Sequence, residues 1–300
     1  MKDRVDILLA TYNGEEFVSE QIESLLDQSH SDFKLIVGDD GSQDSTPEII
    51  RQYAKKFPEK IELHQFPNNV GAISNFSRLA KLSKNNYIMF CDQDDIWLPG
   101  KIEMTLNKMK EMESQFGFEL PLLVHTDLSV VDENLKILHP SFWNYSTYLP
   151  QNNSISRVLI QNNVTASTIM FNKALLDRAF PIPSKAYMHE HWLNLVATVF
   201  GKTGWVSEKT IYYRQHGSNT IGAYKRSDMR QECSLFMDRK SLVNSNRILK
   251  AKFLQAQLFH KRYKDLMGSE TKEIIENFIN MKNKPFFEEI KTRFRYNFHR

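Results

Sequence analysis

The sequence predicts an α/β fold in which a mostly parallel sheet is flanked by helices and followed by a helical C-terminal extension. Short apolar runs alternate with amphipathic segments through the first third of the chain, and this order implies parallel strands with right-handed crossovers. Polar, turn-forming residues follow three of the apolar runs, which is typical of a ligand-binding sheet edge. Beyond residue 225 the strand-like runs stop and helical patterns replace them.

Four strands are predicted in the first third of the chain, each from a short apolar run. They lie at residues 5–10, 33–37, 61–64 and 87–90. The segments between them have apolar residues at helical spacing or, at residues 45–48, the helix-opening sequence Ser-Thr-Pro-Glu. Helices are therefore predicted over residues 15–28, from residue 45 onward, and over residues 73–82.

The rest of the chain mixes strands with helices before it becomes helical throughout. Residues 122–126 and 210–214 have strand-like composition, and residues 188–200 form an apolar helical segment. Residues 228–266 and 270–298 predict two long helices with a break at Gly268 and Ser269. We therefore predict an α/β domain over residues 1–225 and a basic helical extension over residues 226–300.

Composition excludes several classes of protein. The chain has 300 residues, of which 41% are hydrophobic and 25% are charged, as in soluble globular proteins. No apolar run approaches the ~20 residues of a membrane span. The N-terminus lacks the apolar region of a signal peptide, which predicts a cytoplasmic location. The two cysteines, Cys91 and Cys233, are far apart and form no paired motif, so no zinc site is expected, and Cys91 is interpreted as a buried residue at a strand end.

The C-terminal extension concentrates the positive charge of the chain. Residues 226–300 carry 17 Lys and Arg against 9 Asp and Glu, a net +8, which leaves −5 for the first 225 residues. One interpretation is a solvated charged helix face. The other is peripheral attachment to the inner face of the plasma membrane, because aromatic and basic residues are interleaved near the end of the chain. No pattern of a nucleic-acid-binding module is present. The apolar members of the interleaved segment are Phe286, Phe287, Ile290, Phe294, Tyr296 and Phe298.

An acidic cluster is predicted at one edge of the sheet. Asp39 and Asp40 follow the second strand, and the sequence Asp-Gln-Asp-Asp at residues 92–95 follows the fourth. Because the carboxyl ends of parallel strands meet at one edge, these carboxylates should lie close together. Two carboxylates one residue apart can reach one Mg²⁺ or Mn²⁺ ion, which would neutralise charge on a departing diphosphate. The alternative, an acidic turn that caps a helix, is the better interpretation of such a motif in isolation.

A second candidate group lies near residue 190. Glu190 is at the start of the apolar helix, where the helix dipole favours a carboxylate, and it could act as a general base. The alternative is a helix-start carboxylate without a catalytic role. Arg214 and His216 end a strand and could contact a diphosphate or a metal, or be purely structural. The spacing of His189 and His191 is not that of a helical zinc-ligand pair.

Taken together, the motifs resemble those of family-2 inverting glycosyltransferases, which have the GT-A, Rossmann-like fold. The resemblance covers roughly residues 4–225 and rests on the order of three motifs. These are Thr-Tyr-Asn-Gly at residues 11–14, Asp-Asp-Gly-Ser at 39–42, and Asp-Gln-Asp-Asp-Ile-Trp-Leu-Pro at 92–99. The Asn- and Gly-containing loop at residues 67–72 and the segment at 166–172 resemble family segments near the donor and the acceptor.

Two further motifs resemble those of bacterial rhamnosyltransferases of this family. They are His-Glu-His-Trp at residues 189–192 and Tyr-Arg-Gln-His-Gly-Ser-Asn at residues 213–219. The usual form of the first is His-Asp-Trp-Trp, so this chain has Glu190 in place of Asp and His191 in place of Trp. These departures bear on the choice of acceptor and of donor.

The resemblance implies a set of site residues. Glu190 would be the general base, and Asp94 the direct metal ligand, with Asp92 and Asp95 beside it. The cofactor would be Mg²⁺ or Mn²⁺. The donor-binding residues would be Thr11, Tyr12, Asn13, Asp40, Asp92, Arg214 and His216.

The expected activity is inverting transfer of a sugar from a nucleotide-sugar donor to a hydroxyl of a saccharide or lipid-linked saccharide acceptor. L-Rhamnose from dTDP-rhamnose, added to a capsule or O-antigen polysaccharide, is the favoured specific form. A UDP-hexose or UDP-N-acetylhexosamine transferase of the same fold is the alternative. A sugar-nucleotide nucleotidyltransferase is disfavoured because the loop after the first strand has no basic residue. A non-catalytic glycan-binding protein is disfavoured by the complete acidic cluster.

Overall fold

The computed structural model describes residues 3–146, 148–217 and 239–281, together with residues 292, 293, 295, 296 and 298. Its strands are β1 (Val5–Thr11), β2 (Phe33–Asp39), β3 (Ile61–Gln65), β4 (Tyr87–Cys91), β5 (Ile96–Trp97), β6 (Leu122–Asp132), β7 (Ile137–His139), β8 (Met170–Asn172) and β9 (Lys202–Gln215). Its α-helices are α1 (Val18–Leu26), α2 (Thr46–Lys56), α3 (Ala72–Ala80), α4 (Lys101–Phe116), α5 (Phe142–Ser146), α6 (Ile155–Ile160), α7 (Lys173–Ala179), α8 (His189–Phe200), α9 (Arg239–Tyr263) and α10 (Ser269–Met281).

The strands form one mixed sheet. Its order is β3-β2-β1-β4-β8-β6-β9-β5, and β7 pairs with β6. The pairs β1–β2, β2–β3 and β1–β4 are parallel, which confirms the prediction made from the alternating pattern. Strand β8 runs antiparallel to both β4 and β6, and β6 is parallel to β9. The two halves of the sheet are therefore joined through one short antiparallel strand.

Hydrophobic side chains fill both faces of the sheet, as the two-residue period of a strand requires. In β1, Leu8 contributes to one core, and its neighbours Ile7 and Leu9 contribute to the other. The first core lies under α3, α6, α7, α8, α9 and α10, and the second lies under α1, α2 and α4. With both faces covered, the sheet edge beyond the strand ends is the place left for a ligand.

The register brings three strand ends together. Thr11, the last residue of β1, is paired with Asp39, the last residue of β2. On the other side of β1, Leu9 is paired with Cys91, the last residue of β4. The segments after β1, β2 and β4 therefore leave the sheet side by side, as predicted from their polar composition.

The connection from α8 to β9 requires a residue without a side chain. A Cβ atom on Gly201 would lie 1.7 Å from the carbonyl oxygen of Pro121. The amide of the next residue, Lys202, donates to that same carbonyl at 3.0 Å. The chain turns here directly into β9, which is longer than the strand predicted at residues 210–214 because it begins at Lys202.

Helix α9 lies within the first segment predicted to be helical, and α10 begins at Ser269, one residue before the second. Both helices pack into the main core. Phe259 of α9 contacts Trp192 of α8, with ring centroids 5.6 Å apart. Phe298 is fully buried, and its ring lies 5.4 Å from that of Phe278 in α10. The proposed domain boundary at residues 225–226 and most of the interleaved tail (Phe286, Phe287, Ile290 and Phe294) lie outside the described residues. Among the helices that the structure describes, none is long and apolar enough to span a membrane.

One predicted element begins later than expected. A helix was expected from Leu98, with Asp95 as a potential cap. Helix α4 instead begins at Lys101, its N-cap residue is Gly100, and no side chain caps it. The carboxylate of Asp95 points to a different partner, which is described below.

Candidate active site

The loops after β1 and β4 are joined by one side chain. The amide of Tyr12 donates to Gln93 Oε1 at 2.8 Å, and Gln93 Nε2 donates to the carbonyl of Tyr12 at 3.1 Å. A Cβ atom on Gly14 would lie 2.4 Å from the Gln93 amide, so glycine at this position leaves room for the bridge. The acidic segment after β4 is thereby fixed against the loop that carries Tyr12.

The loops after β1 and β2 are also joined. Asp39 accepts hydrogen bonds from Thr11 Oγ1 at 3.2 Å and from the amide of Ser42 at 3.1 Å. Asn13 donates its amide to Ser42 Oγ at 2.9 Å and accepts from the amide of Gln43 at 2.8 Å. The side chain of Tyr12 stays 43% exposed beside this network. Thr11 and Asn13 therefore shape the site, and Tyr12 presents an aromatic ring at its surface.

Asp40 fixes the loop at residues 67–72. Its buried carboxylate accepts hydrogen bonds from the amides of Val70, at 3.0 Å, and Gly71, at 2.8 Å. It also forms an ion pair with Arg78 of α3, whose guanidinium lies 3.6 Å from the ring centroid of Phe66. Asp40, which was predicted to bind the donor, is thus in an ion pair with Arg78. Arg78 and the loop at residues 67–72 cover its carboxylate from solvent.

Three carboxylates follow β4, and their surroundings differ. Asp92 is half-buried, and burial together with the charge of Asp94 raises the pKa of its carboxyl to about 7. Asp94 is also half-buried, and its Oδ2 atom lies 3.0 Å from His216 Nε2. Asp95 is fully buried, burial raises its pKa well above the usual value, and its Oδ1 accepts from the amide of Arg214 at 3.3 Å. Asp92 and Asp94 are therefore partly exposed at the sheet edge, and Asp95 links the acidic segment to β9.

Arg214 of β9 contacts the backbone of the acidic segment that follows β4. Its side chain is 3% exposed, its Nε donates to the carbonyl of Asp94 at 3.1 Å, and its Nη1 donates to the carbonyl of Glu133 at 3.1 Å. It also forms an ion pair with Glu20 of α1. The guanidinium is therefore buried against protein groups and supports the Asp94 backbone, and a direct diphosphate contact stays a prediction.

His216 contacts the carboxylate of Asp94 directly. Its ring packs on Phe17, with centroids 4.5 Å apart, while its Nε2 reaches Asp94. The ring can donate to the Asp94 carboxylate and fix its orientation. Ser218 and Asn219, which complete this motif in the sequence, lie outside the described residues.

Helix α8 brings Glu190 to the same edge of the sheet. The ring of the preceding residue, His189, lies 4.5 Å from Phe76 of α3 and 5.2 Å from Phe90 of β4, measured between centroids. This packing sets the start of α8 beside the end of β4. Glu190 is 6% exposed, and burial, with an added contribution from the charge of Asp92, raises its pKa to about 8.

Asparagine side chains orient the Glu190 carboxyl group. Asn162 Nδ2 donates to Glu190 Oε1 at 3.2 Å, and Asn194, one turn further along α8, donates to Asn162 Oδ1 at 3.1 Å. Glu190 Oε2 is buried and has no hydrogen-bond partner among the described residues. One oxygen is thus held by Asn162, and the other is buried with His189 Nδ1 3.6 Å away.

The described residues contain no cluster of side chains arranged like a zinc site. In residues 3–217 with their gap at 147, and in the described C-terminal part, no group of three or more His, Cys, Asp or Glu side chains is arranged to hold a metal. His191 Nε2 pairs with the carbonyl of Val158 at 2.6 Å. Cys91 is buried, and burial raises the pKa of its thiol, so it is a neutral core residue as predicted.

The comparison with protein families concerns the part of the chain that carries these loops. Residues 6–121 match the model of glycosyl transferase family 2. This part of the chain is a family 2 glycosyl transferase domain. The match includes the ends of β1, β2 and β4, with Tyr12, Asp40, Asp92 and Asp94, and it ends before Glu190.

Two curated relatives extend the similarity beyond residue 121. An uncharacterized glycosyltransferase of Nostoc sp. is 26% identical over 72% of the chain and 66% of its own length. The dTDP-rhamnosyl transferase RfbG of Shigella flexneri is 28% identical over 72% of the chain and 74% of its own length. The chain thus spans about two thirds of the length of the Nostoc relative.

Solved structures share the fold of this chain. S. aureus TarS, residues 1–349, in complex with UDP-GlcNAc, is 16% identical, with a TM-score of 0.59 over 97% of this chain and 73% of that one. The mannosyltransferase PcManGT of Pyrobaculum calidifontis, in complex with GDP-Man and Mn²⁺, is 13% identical, with a TM-score of 0.51 over 98% of this chain and 84% of that one. These matches confirm the predicted GT-A fold.

Four residues that build the site were not identified from the sequence. Each acts through long-range hydrogen bonds or an ion pair, and they are Arg78, Gln93, Asn162 and Asn194. Gln93 lies inside a motif that had been singled out only for its carboxylates. The spacing of Asn194 from Glu190 is one helical turn, and this was the available signal for a shared helix face.

Proposed function

We propose that this protein transfers a sugar, with inversion, from a nucleotide-sugar donor to a hydroxyl group of a growing saccharide. A divalent cation would assist departure of the nucleoside diphosphate, and Glu190 would accept the proton of the attacking hydroxyl. The observation that carries this proposal is the buried carboxyl group of Glu190, which is near enough to Asp92 to be affected by its charge. Asn162 holds one carboxyl oxygen, and the other has no hydrogen-bond partner among the described residues.

Two parts of the site would have separate roles. Tyr12 and the loop fixed by Asp40 would hold the nucleotide, with the exposed Tyr12 ring available for stacking on a base. Glu190 belongs to a different element, the start of α8, and would serve the acceptor. An inverting displacement requires attack from the face opposite the leaving group, so the base would act on a hydroxyl that approaches across from the diphosphate.

The residues present fit a divalent cation. Asp92 and Asp94 would supply hard carboxylate oxygens. Burial, with a further contribution from the charge of Asp94, raises the pKa of Asp92, and a cation would offset both effects. Arg78 and Arg214, the arginines of the described site, are held in ion pairs with Asp40 and Glu20. When bound, Mg²⁺ or Mn²⁺ supplies the positive charge that stabilises a departing diphosphate. The complex of PcManGT with Mn²⁺ supports this assignment.

The favoured donor is dTDP-L-rhamnose, and the favoured product is a capsule or O-antigen polysaccharide. The name of RfbG supports this choice, as do the motifs at residues 189–192 and 213–219. The alternative is a UDP-hexose or UDP-N-acetylhexosamine donor, which the complex of TarS with UDP-GlcNAc supports. In either case the acceptor would be a saccharide or a lipid-linked saccharide.

A donor panel tests the proposal directly. Purified protein is incubated with Mn²⁺ and UDP-, GDP- or dTDP-linked sugars, and release of nucleoside diphosphate by slow donor hydrolysis is measured. We expect release from one nucleotide class, with dTDP-rhamnose hydrolysed fastest, and loss of release on chelation of the metal.

The same panel separates the other classes of function. A sugar-nucleotide nucleotidyltransferase would form pyrophosphate from a nucleoside triphosphate and a sugar phosphate, which is measured in parallel reactions. A glycan-binding protein would bind oligosaccharide without releasing any nucleotide. Absence of both nucleotide binding and release across the whole panel would refute the proposal.

Peripheral membrane attachment through the basic tail is a separate part of the proposal. Of the interleaved aromatic residues, Tyr296 and Phe298 are described, and they stack on each other with Phe298 buried against α10. Contact with lipid would thus depend on Phe286, Phe287, Ile290 and Phe294, with their basic neighbours. We expect flotation with anionic vesicles, and its loss when these four residues are changed to Ser. Equal flotation of both proteins would exclude this mode of attachment.

A further inference from the structure

The C-terminal helix α9 contacts both segments that hold the candidate base. Gln255 Oε1 accepts hydrogen bonds from the amides of Tyr187 at 2.8 Å and Met188 at 3.4 Å, the two residues that lead into α8. Met188 is the N-cap residue of α8, and its side chain makes no capping hydrogen bond. An acceptor from another helix therefore fixes the backbone two residues before Glu190.

A neighbouring residue of α9 holds the second segment. Lys252 lies three residues before Gln255, on the same helix face, and its Nζ donates to the carbonyl of Ile160 at 2.6 Å. Ile160 is the last residue of α6, and Asn162, whose amide binds Glu190 Oε1, follows two residues later. One face of α9 thus holds two segments: the residues that lead into α8, which carries Glu190, and the end of α6, which leads to Asn162.

The rest of α9 anchors this face. Phe259 packs on Trp192, and Tyr263 OH donates to the carbonyl of Arg178 at 2.7 Å. Arg262 donates to the carbonyl of Pro181 at 2.7 Å. These contacts join α9 to α8, to α7 and to the segment that follows α7, so Gln255 lies on a helix that is packed against the rest of the fold.

The residue type at position 255 is informative. Gln255 is 1% exposed, and its Nε2 is buried without a hydrogen-bond partner among the described residues. An unsatisfied buried amide is unfavourable, and Met would fill a similar volume without this penalty. Packing alone does not account for a glutamine here, whereas an acceptor for the two amides does.

We propose that α9 is part of the catalytic apparatus, with Gln255 as a positioning residue that sets the start of α8 and hence the direction of the Glu190 carboxylate. This inference rests on the proposed function of Glu190 as the base. The C-terminal extension is then required for chemistry as well as for stability.

The test compares Gln255→Met with a control on the same helix, Gln257→Met, which changes a half-buried side chain two residues away. Hydrogen exchange by mass spectrometry is measured over residues 184–196, and kcat for donor hydrolysis is measured with the best sugar nucleotide of the panel. We expect about tenfold faster exchange at this helix start and about tenfold lower kcat in Gln255→Met alone. Nucleoside diphosphate affinity should change less than about twofold in both variants. Gln255→Glu, which keeps an acceptor at the same reach, should restore most of the loss.

The outcomes separate this inference from the proposed function. Equal exchange and equal kcat in Gln255→Met and Gln257→Met would overturn the positioning role. A parallel loss of nucleotide affinity and kcat in Gln255→Met would overturn it too, because it would indicate general unfolding. If the wild-type protein hydrolyses no donor, the proposed function fails, and the exchange measurement still shows whether Gln255 fixes the start of α8.

Discussion

Replacement of Glu190 by glutamine is expected to abolish sugar transfer and to leave nucleotide binding unchanged. The amide cannot accept the proton of the attacking hydroxyl, and loss of a general base lowers rates by about 10²–10⁴-fold. The hydrogen bond from Asn162 to Oε1 is kept, because glutamine retains an oxygen acceptor at that position. The measurements are nucleoside diphosphate release under saturating donor and calorimetric titration of the nucleotide.

The same substitution should stabilise the fold at neutral and higher pH. Burial raises the pKa of Glu190 from its ordinary value of 4.5 to about 8. The native state therefore favours the protonated carboxyl group. The contribution of this group to the free energy of unfolding is fully present below pH 4.5 and is lost as pH rises through 8. Each pKa unit corresponds to about 1.4 kcal/mol, and glutamine carries no charge to be penalised. We expect Glu190→Gln to melt several degrees above the wild type at pH 8.5 and at nearly the same temperature at pH 4.5.

The pH profile of the wild-type enzyme follows from the same group. A base must be ionised to accept a proton, so kcat/KM should rise between pH 7 and pH 9 and level off above the pKa of Glu190. A suitable control is Glu113→Gln, which changes another buried carboxyl group. Glu113 is on α4, accepts a hydrogen bond from Tyr87 OH, and is distant in sequence from the site motifs. Full activity in Glu190→Gln, or the same loss in Glu113→Gln, would contradict the role given to Glu190.

The outline of the site could be predicted from the sequence because it depends on local patterns. A polar turn after an apolar run marks the end of each of the strands β1, β2 and β4. Parallel pairing brings these three ends to one edge of the sheet. Glu190 could be placed at a helix start because the apolar spacing of α8 is unambiguous. Both inferences use information within about ten residues of the group concerned.

The roles of individual polar groups could not be predicted in this way. Arg214 had the sequence signature of a phosphate contact, yet it is buried in an ion pair with Glu20, 194 positions away. Asp95 had the signature of a helix cap or a metal ligand, yet it accepts from the amide of Arg214. A carboxylate or guanidinium pairs with whichever group the fold brings near, and sequence spacing does not record that partner.

The C-terminal extension shows the same limit on a larger scale. Its composition indicated helices and a basic surface, and the described helices agree. Its buried contacts, from Gln255 to the start of α8 and from Phe259 to Trp192, depend on side chains that have no distinctive pattern along α9. A charge count described the exposed face of the extension but could not identify the face that packs against the site.

Replacement of Asp94 by alanine is expected to remove the metal-dependent part of nucleotide binding. Asp94 presents a half-buried carboxylate oriented by His216 and by the bond from Arg214 to its backbone, so the peptide position should persist when the side chain is lost. Loss of groups that merely orient metal ligands costs about 10–100-fold in metal affinity, and loss of a ligand should cost at least about 100-fold. The measurement is calorimetric titration of nucleoside diphosphate with Mn²⁺ and with chelator.

Two controls decide whether this loss belongs to the metal. His216→Ala removes the orienting ring and should weaken metal-dependent binding less than Asp94→Ala does. Asp177→Ala removes an exposed carboxylate, paired with Lys173 on α7, and should have no effect. If Asp94→Ala lowers binding equally with Mn²⁺ and with chelator, Asp94 contacts the donor without a cation. If it leaves Mn²⁺-dependent binding intact, the cation is held elsewhere, and the assignment of the Asp92–Asp94 pair is wrong. Only selective loss of the Mn²⁺-dependent component is compatible with two carboxylates that share one cation with a diphosphate.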